Sequence, residues 1–462
     1  MSSINEEFAT INCLIEAANK GDRFHLLNDP NALPGNLTNP VHPLFHSSSL
    51  LERTPCLKQA LQLASLFLSH DSTIEFFVPL TYGRYGHDAG LGKTYLSDPL
   101  ADKSFDEMKP YFQGVRKALH CLAHCVTFRW IPLAERLWAR TVVNPHQASH
   151  APECSNAFLY DQGVLIEMND KLLAYYVDEQ AGYLRRSRCD QFRHDFQFAV
   201  TLVHEIVHAY GAMRRGHLKE PYVRIDHPST EWGYAWENFM FGCIVNPQDK
   251  TRHGTHIQLR KTWACPEVEH ANRGKEYAAV SAAWVAQWFR TETWKVVEIA
   301  GPLAIPPPVV HVKFTVSSRF CRFFVKTDRA ETREDIEDLR DRAAYELLGD
   351  QVKGISSTRK TMELSKTMWV LQESEELQQS NVPIPSRVPK RENSLFGVRR
   401  LSVSVSDERK HSVSDRTSST TSTNSLPVID KRAKRVRDDE DVDYRDIDYR
   451  RERKKLRLKL RF

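Results

Sequence analysis

No run of apolar residues in the 462-residue chain reaches the roughly 18 that a membrane-spanning helix needs. The first residues, Met1-Ser-Ser-Ile-Asn-Glu-Glu, are acidic and lack the basic and apolar regions of a secretory leader. Cys-x-x-Cys pairs are missing as well. The nine cysteines, at 13, 56, 121, 125, 154, 189, 243, 265 and 321, are odd in number and scattered. That pattern fits free thiols in a reducing compartment better than a disulfide framework, which makes the Asn36-Leu37-Thr38 sequon irrelevant. Internal repeats are also lacking. These absences speak against a membrane-spanning or secreted protein and predict a soluble one of the nucleus or cytoplasm.

The body of the chain has little net charge. Residues 381–462 hold 22 Lys/Arg against 13 Asp/Glu, a net of +9. The totals of 64 and 59 therefore leave 42 basic and 46 acidic residues, a net of −4, for residues 1–380. A mildly acidic body carries a basic tail, so any nucleic-acid contact belongs to the tail. Apolar residues reach 41%, with 22 Phe, 15 Tyr and 9 Trp, enough for a sizeable core.

Periodicity predicts a short helix over 6–19, then a Pro/Asn/His-rich connector over 28–46. Further helices are expected at 57–68 and 106–126, with strands at 127–131 and 163–168. A strong helix starts near Asp190 and stops before Gly216, with Phe196, Ala199, Val200, Val203, Ile206 and Val207 as its apolar stripe. A second follows Pro228-Ser229, with Trp232, Ala235, Trp236, Phe239, Met240 and Cys243 at helical spacing. Another is expected over 278–296, with Trp284, Trp288, Phe289 and Trp294 in the core. A β-rich stretch at 309–326 and two charged helices at 331–348 and 362–378 complete the body.

Beyond 381 the pattern dissolves into Ser/Thr-rich and mixed-charge sequence that cannot bury enough apolar surface to order itself. Within it, Lys431-Arg-Ala-Lys434-Arg435 and Arg450-Arg-Glu-Arg-Lys-Lys455 suit a nuclear import receptor or nucleic acid. The acidic run 438–443 partly neutralises them. Arg399-Arg-Leu-Ser402 resembles a basophilic-kinase site.

Chemistry concentrates in Leu202-Val-His204-Glu205-Ile-Val-His208-Ala-Tyr210. Two histidines four apart on a helix share one face and can reach one cation. Glu205, beside the first, can deprotonate a metal-bound water without ligating. Neutral imidazoles and a carboxylate that leave one position open suit zinc, and a Lewis acid with an activated water is what amide hydrolysis requires. Two weaker patterns carry less. Gly86 to Thr94 resembles a phosphate-binding loop, but five residues separate Gly86 from Gly92-Lys93-Thr94 where four are needed, so it reads as a glycine-rich surface loop. His120, Cys121, His124 and Cys125 repeat ligand spacing, but the stretch reads as a buried helix face of Ala118, Leu119, Leu122 and Ala123 with its Cys as small hydrophobes.

The His-Glu-x-x-His segment resembles the zincin metallopeptidases, and the resemblance covers about residues 100–250. Metzincins extend the motif with a Gly and a third His. Gly211 matches, but Arg214 occupies the last position. Gluzincins take a Glu from a following helix, and Glu231-Trp-Gly233-Tyr-Ala-Trp-Glu237 resembles such a helix. It also resembles a Glu-x-Gly-x-x-x-Glu signature of uncharacterised fungal zincin-like proteins. Glu231 is favoured as the third ligand, with Glu237 as the alternative and the loser as partner of a ligand histidine. His227 is a third candidate, since SprT-like proteases of DNA-bound proteins use three histidines. Their downstream Gly-His-Gly context is missing here.

The resemblance implies an α+β zincin-like domain over 46–320, with its long active-site helix packed on a small sheet. An N-terminal extension (1–45), a helical appendage (321–380) and a disordered basic tail (381–462) flank it. The expected activity is zinc-dependent hydrolysis of a peptide or protein substrate. His204, His208 and Glu231 would bind Zn²⁺ and Glu205 would act as general base. The alternatives are an SprT-like nuclear protease and a zinc-binding interaction protein that cleaves nothing. The 163–168 strand would pair with substrate, and Tyr210, Tyr222, His227 and Tyr234 are candidates to stabilise the oxyanion.

Overall fold

The computed structural model describes residues 24–46, 54–133, 137–144, 158, 163–247, 257–265, 276–306, 313–317 and 322–326. All of these belong to one of two units, Met1–Arg399, into which the chain divides. The helices expected at 6–19, 331–348 and 362–378, and the basic tail, lie outside the described residues.

The helices are α1 (Lys58–Ser69), α2 (Asp71–Ile74), α3 (Phe77–Tyr82), α4 (Phe105–Cys125), α5 (Asp170–Val177), α6 (Arg188–Arg215), α7 (Trp232–Phe241), α8 (Ala282–Gln287) and α9 (Thr291–Ala300). Strands β1 (Tyr85–Asp88) and β2 (Lys93–Leu96) form a hairpin. Strands β3 (Val126–Ile131), β4 (Ala139–Asn144) and β5 (Gly163–Asn169) form a sheet in the order β3-β5-β4. Strands β6 (Ile244–Pro247), β7 (Gln258–Lys261), β8 (Glu276–Val280), β9 (Lys313–Ser317) and β10 (Arg322–Lys326) form an antiparallel sheet in sequence order. The architecture is α+β. Among the described residues no helix is long and apolar enough to cross a membrane.

Helix α6 organises the core. Ser187 starts it by accepting a hydrogen bond from the Asp190 N–H, and Gly216 ends it at φ 78°, a left-handed cap that favours glycine. Between them Phe192, Phe196, Phe198, Leu202, Val203, Ile206 and Val207 are buried around its whole circumference. A helix buried on every side must be sheathed by other elements. Phe67 of α1 supplies much of that sheath, meeting Phe196, Trp236, Trp288 and Trp294 at ring-centroid separations of 5.6–6.4 Å. The crossings are edge-on or tilted, as the ring quadrupoles prefer.

Two expectations need correcting. Strand β5 cannot offer an edge to substrate, because it pairs in parallel with β3 and antiparallel with β4. Both rows of its backbone groups are used, and among the described residues β3 and β4 are the outer strands. The single helix expected over 278–296 is instead β8 followed by α8 and α9. Ala278, Ala279 and Val280 pair with β7, and Ser281 then caps α8. A short apolar run suits a buried strand as well as a helix. The glycine-rich 86–94 stretch is the β1–β2 hairpin, where Gly92 turns the chain at φ 62°.

Candidate metal centre

His204 and His208 project from one face of α6 towards the start of α7. Glu231 is the N-cap of α7: its Oε2 accepts from the Tyr234 N–H at 2.5 Å. That bond fixes the carboxylate with Oε1 lying 3.0 Å from His204 Nε2 and 2.9 Å from His208 Nε2. Among the described residues this is the group of three side chains able to meet on one metal ion, with all ligand atoms within 4.8 Å of one another.

The outer nitrogens are held by two further carboxylates. Glu237 Oε1 lies 2.9 Å from His204 Nδ1, and its Oε2 accepts from the Val245 N–H at 3.0 Å. Glu220 Oε1 lies 2.7 Å from His208 Nδ1, and its Oε2 accepts from the Trp232 N–H at 2.9 Å. A carboxylate on Nδ1 favours the tautomer with its proton there, which turns the Nε2 lone pair inward to a ligand position.

Two glycines allow the helices to approach this closely. A Cβ on Gly211 would lie 2.6 Å from the Trp232 ring, and one on Gly233 would overlap the His204 imidazole. Both leave space that any other residue would fill.

The Glu205 carboxylate is held from the sheet. Thr141 Oγ1 on β4 lies 2.7 Å from its Oε2 and 3.0 Å from its main-chain oxygen. Both residues are buried, so the carboxylate is fixed in place by a hydroxyl of an outer strand.

The donor set fits zinc. Bonds of about 2.0–2.2 Å in a tetrahedron put donors roughly 3.3–3.5 Å apart, a few tenths of an ångström more than the two Nε2–Oε1 distances. Charge points the same way. Glu220, Glu231 and Glu237 surround two imidazoles, and a buried negative charge without a partner costs several kcal/mol. Burial pushes the imidazoles down, but Glu231 and Glu237 raise His204 well above its usual range. Glu220 and Glu231 likewise raise His208 to about 10. Against burial, the same histidines hold Glu231 well below the usual carboxylate range, whereas burial leaves Glu237 raised. The cluster is built to surround positive charge, which a divalent cation supplies in place of protons.

His227 is not brought to the pair. Its ring packs on Trp263 at 5.0 Å and its main-chain oxygen accepts from Lys93. Tyr210 is fully buried and its hydroxyl sits 2.5 Å from Thr81 Oγ1, so it serves the core. Tyr222 lies beneath the Lys93 ammonium. Tyr234 sets its ring 5.2 Å from that of His204. His120 meets His42 ring to ring at 5.0 Å, and neither belongs to a three-ligand group among the described residues.

Sequence reasoning missed Glu220 and Thr141. Neither stands in a motif, and both reach the site only because the chain returns to it. Comparison with protein-family models, curated proteins and solved structures finds no match for the chain.

Proposed function

We propose that the protein is a zinc-dependent peptidase of gluzincin-like, zincin type. The observation that carries this is the convergence of His204 and His208 Nε2 on one Glu231 oxygen, with a carboxylate behind each imidazole. When bound, zinc polarises the scissile carbonyl and makes water acidic enough to attack near neutral pH. His204, His208 and Glu231 would hold the ion. Glu205 takes the proton of the attacking water at Oε1, its Oε2 being held by Thr141, and returns it to the leaving amine nitrogen. An extended peptide pairs along the outer edge of β4, which brings its carbonyl beside Glu205.

Free cysteines at 56, 121, 125, 189, 243 and 265 support a reducing compartment, nucleus or cytoplasm. The basic clusters at 431–435 and 450–455 support contact with an import receptor or nucleic acid.

The test uses the full chain expressed with added zinc. Wild type and Glu205→Gln should each hold about one zinc, and only the wild type should cut a mixed peptide library, with chelator stopping it. Zinc without cleavage would leave a zinc-binding interaction protein. A chain that holds no zinc ends both readings.

A further inference from the structure

The β1–β2 hairpin packs on the stretch of chain that follows α6. That stretch is the segment between α6 and α7 that delivers Glu220 to His208. Residue 222 joins β2 as a short third strand: its N–H donates to Thr94 O at 2.9 Å, and its carbonyl accepts from Leu96 N at 2.9 Å. Further along, Lys93 Nζ donates to Ile225 O at 3.1 Å and His227 O at 2.8 Å, and sits 4.5 Å above the Tyr222 ring. Two main-chain oxygens and one aromatic face thus converge on a single ammonium.

The other side of the segment is pinned by α7. Trp232 donates its N–H to Glu220 Oε2 at 2.9 Å and its indole N–H to Pro221 O at 2.6 Å. Glu220 therefore lies between two anchors, two residues from the hairpin bridge, with its remaining oxygen on His208 Nδ1. Glu231 differs, because it is itself the N-cap of α7, with its carboxylate on the Tyr234 N–H, whereas Glu220 stands in the connecting segment. Loosening the hairpin should free Glu220 and leave Glu231 in place.

Glycines fit the hairpin for this task. Gly86 faces Tyr95 across the strands, and a Cβ there would lie 2.7 Å from the Tyr95 ring. The ring can therefore lie flat over the strand. The turn closes with Asp88 Oδ1 accepting from Leu91 N at 2.9 Å and Gly92 in the left-handed region.

We propose that the β1–β2 hairpin is a clamp on the metal centre and that Lys93 is a positioning residue acting on zinc through Glu220 and His208. The proposal rests on the zinc reading but not on peptidase activity. An ammonium is needed at this point because only a cation with several donors can bind two carbonyls and an aromatic face together.

The experiment is a double-mutant cycle on metal affinity in the full chain. Zinc affinity is measured by competition with a chromogenic chelator, and the visible spectrum of the Co²⁺-loaded protein reports ligand geometry. Lys93→Met should weaken zinc about tenfold, the lower end of the cost of losing a ligand's hydrogen-bond partner, and should alter the Co²⁺ spectrum. In a Glu220→Ala background the same change should cost nothing further, because the residue it acts through is gone. Lys93→Gln, which keeps one carbonyl bond, should fall between wild type and Lys93→Met and serves if the methionine variant folds poorly. Unchanged affinity in Lys93→Met, or an equal loss with and without Glu220, overturns the clamp. A wild-type chain without zinc would overturn the metal reading beneath it, which is a separate result.

Discussion

Gly233 lies against the His204 imidazole so closely that a methyl group there would overlap the ring's Cε1, Nε2 and Cδ2. Position 233 therefore belongs to the candidate metal centre although it offers no ligand atom. Gly233→Ala must displace either the ring or the first turn of α7, and both carry ligands. Zinc affinity should fall at least 10–100-fold, as when a ligand loses its orientation. Overpacking should cost only about 1–3 kcal/mol of stability. Zinc titration and thermal unfolding of one preparation check this, and a variant with full affinity would show that the contact does not constrain the ring.

The carboxylates around the two histidines should separate into two grades. Glu231 meets both Nε2 atoms, so Glu231→Ala should release zinc as completely as His208→Ala. Glu237 and Glu220 each hold one Nδ1, so Glu237→Ala and Glu220→Ala should retain zinc with affinity reduced roughly 10–100-fold. Metal analysis after dialysis against graded chelator distinguishes the grades. If Glu237→Ala empties the site while Glu231→Ala does not, the ligand assignment is reversed.

Thr141 affects Glu205 and should leave the metal alone. Thr141→Val keeps the volume but removes the hydroxyl that bonds Glu205 Oε2 and the Glu205 main-chain oxygen. Turnover should drop roughly 10-fold, part of the 10²–10⁴ that a general base supplies, at unchanged KM and zinc content. Thr141→Ser should restore it. A valine variant as active as wild type would mean that packing alone orients Glu205.

How far the sequence reveals this arrangement depends on whether a residue's role is local. Helices α1, α4, α6 and α7 were legible because their apolar periods and caps lie within a few residues of one another. The pair His204 and His208 was legible for the same reason, since helical spacing alone puts both on one face. Glu231 could be favoured over Glu237 on spacing alone, but their separate contacts could not be read, because those need the angle between α6 and α7, which Gly211 and Gly233 set across the interface. Glu220 gave no signal: it sits in an aperiodic segment whose position is decided by β2 and Trp232. The strand at 163–168 was found, but its place in the sheet was not, since strand order is a long-range property. The break between β8 and α8 was hidden by the run 278–286, apolar apart from Ser281.

The last prediction concerns stability and lies two turns up α6 from the metal centre. Asp195 is fully buried. Its Oδ1 accepts from Tyr176 Oη at 2.7 Å, and its Oδ2 accepts from Tyr183 Oη and Gln59 Nε2, both at 2.7 Å. Burial disfavours the charge more than these three donors favour it, and the carboxyl is pushed up to about 7. Unfolded, it returns to roughly 3.9. The folded state therefore binds this proton more tightly, so its contribution is full below about pH 4 and is lost as pH rises towards 7. One proton gives a slope of at most about 1.4 kcal/mol per pH unit in that window. In Asp195→Asn the slope should vanish, because the amide has no proton to lose and can still bond both phenols. Urea unfolding of wild type and variant from pH 4.5 to 7.5 isolates it, since every other titrating group is common to both. The variant should gain on the wild type steadily as pH rises, and a constant difference across the range would mean that Asp195 stays ionised throughout.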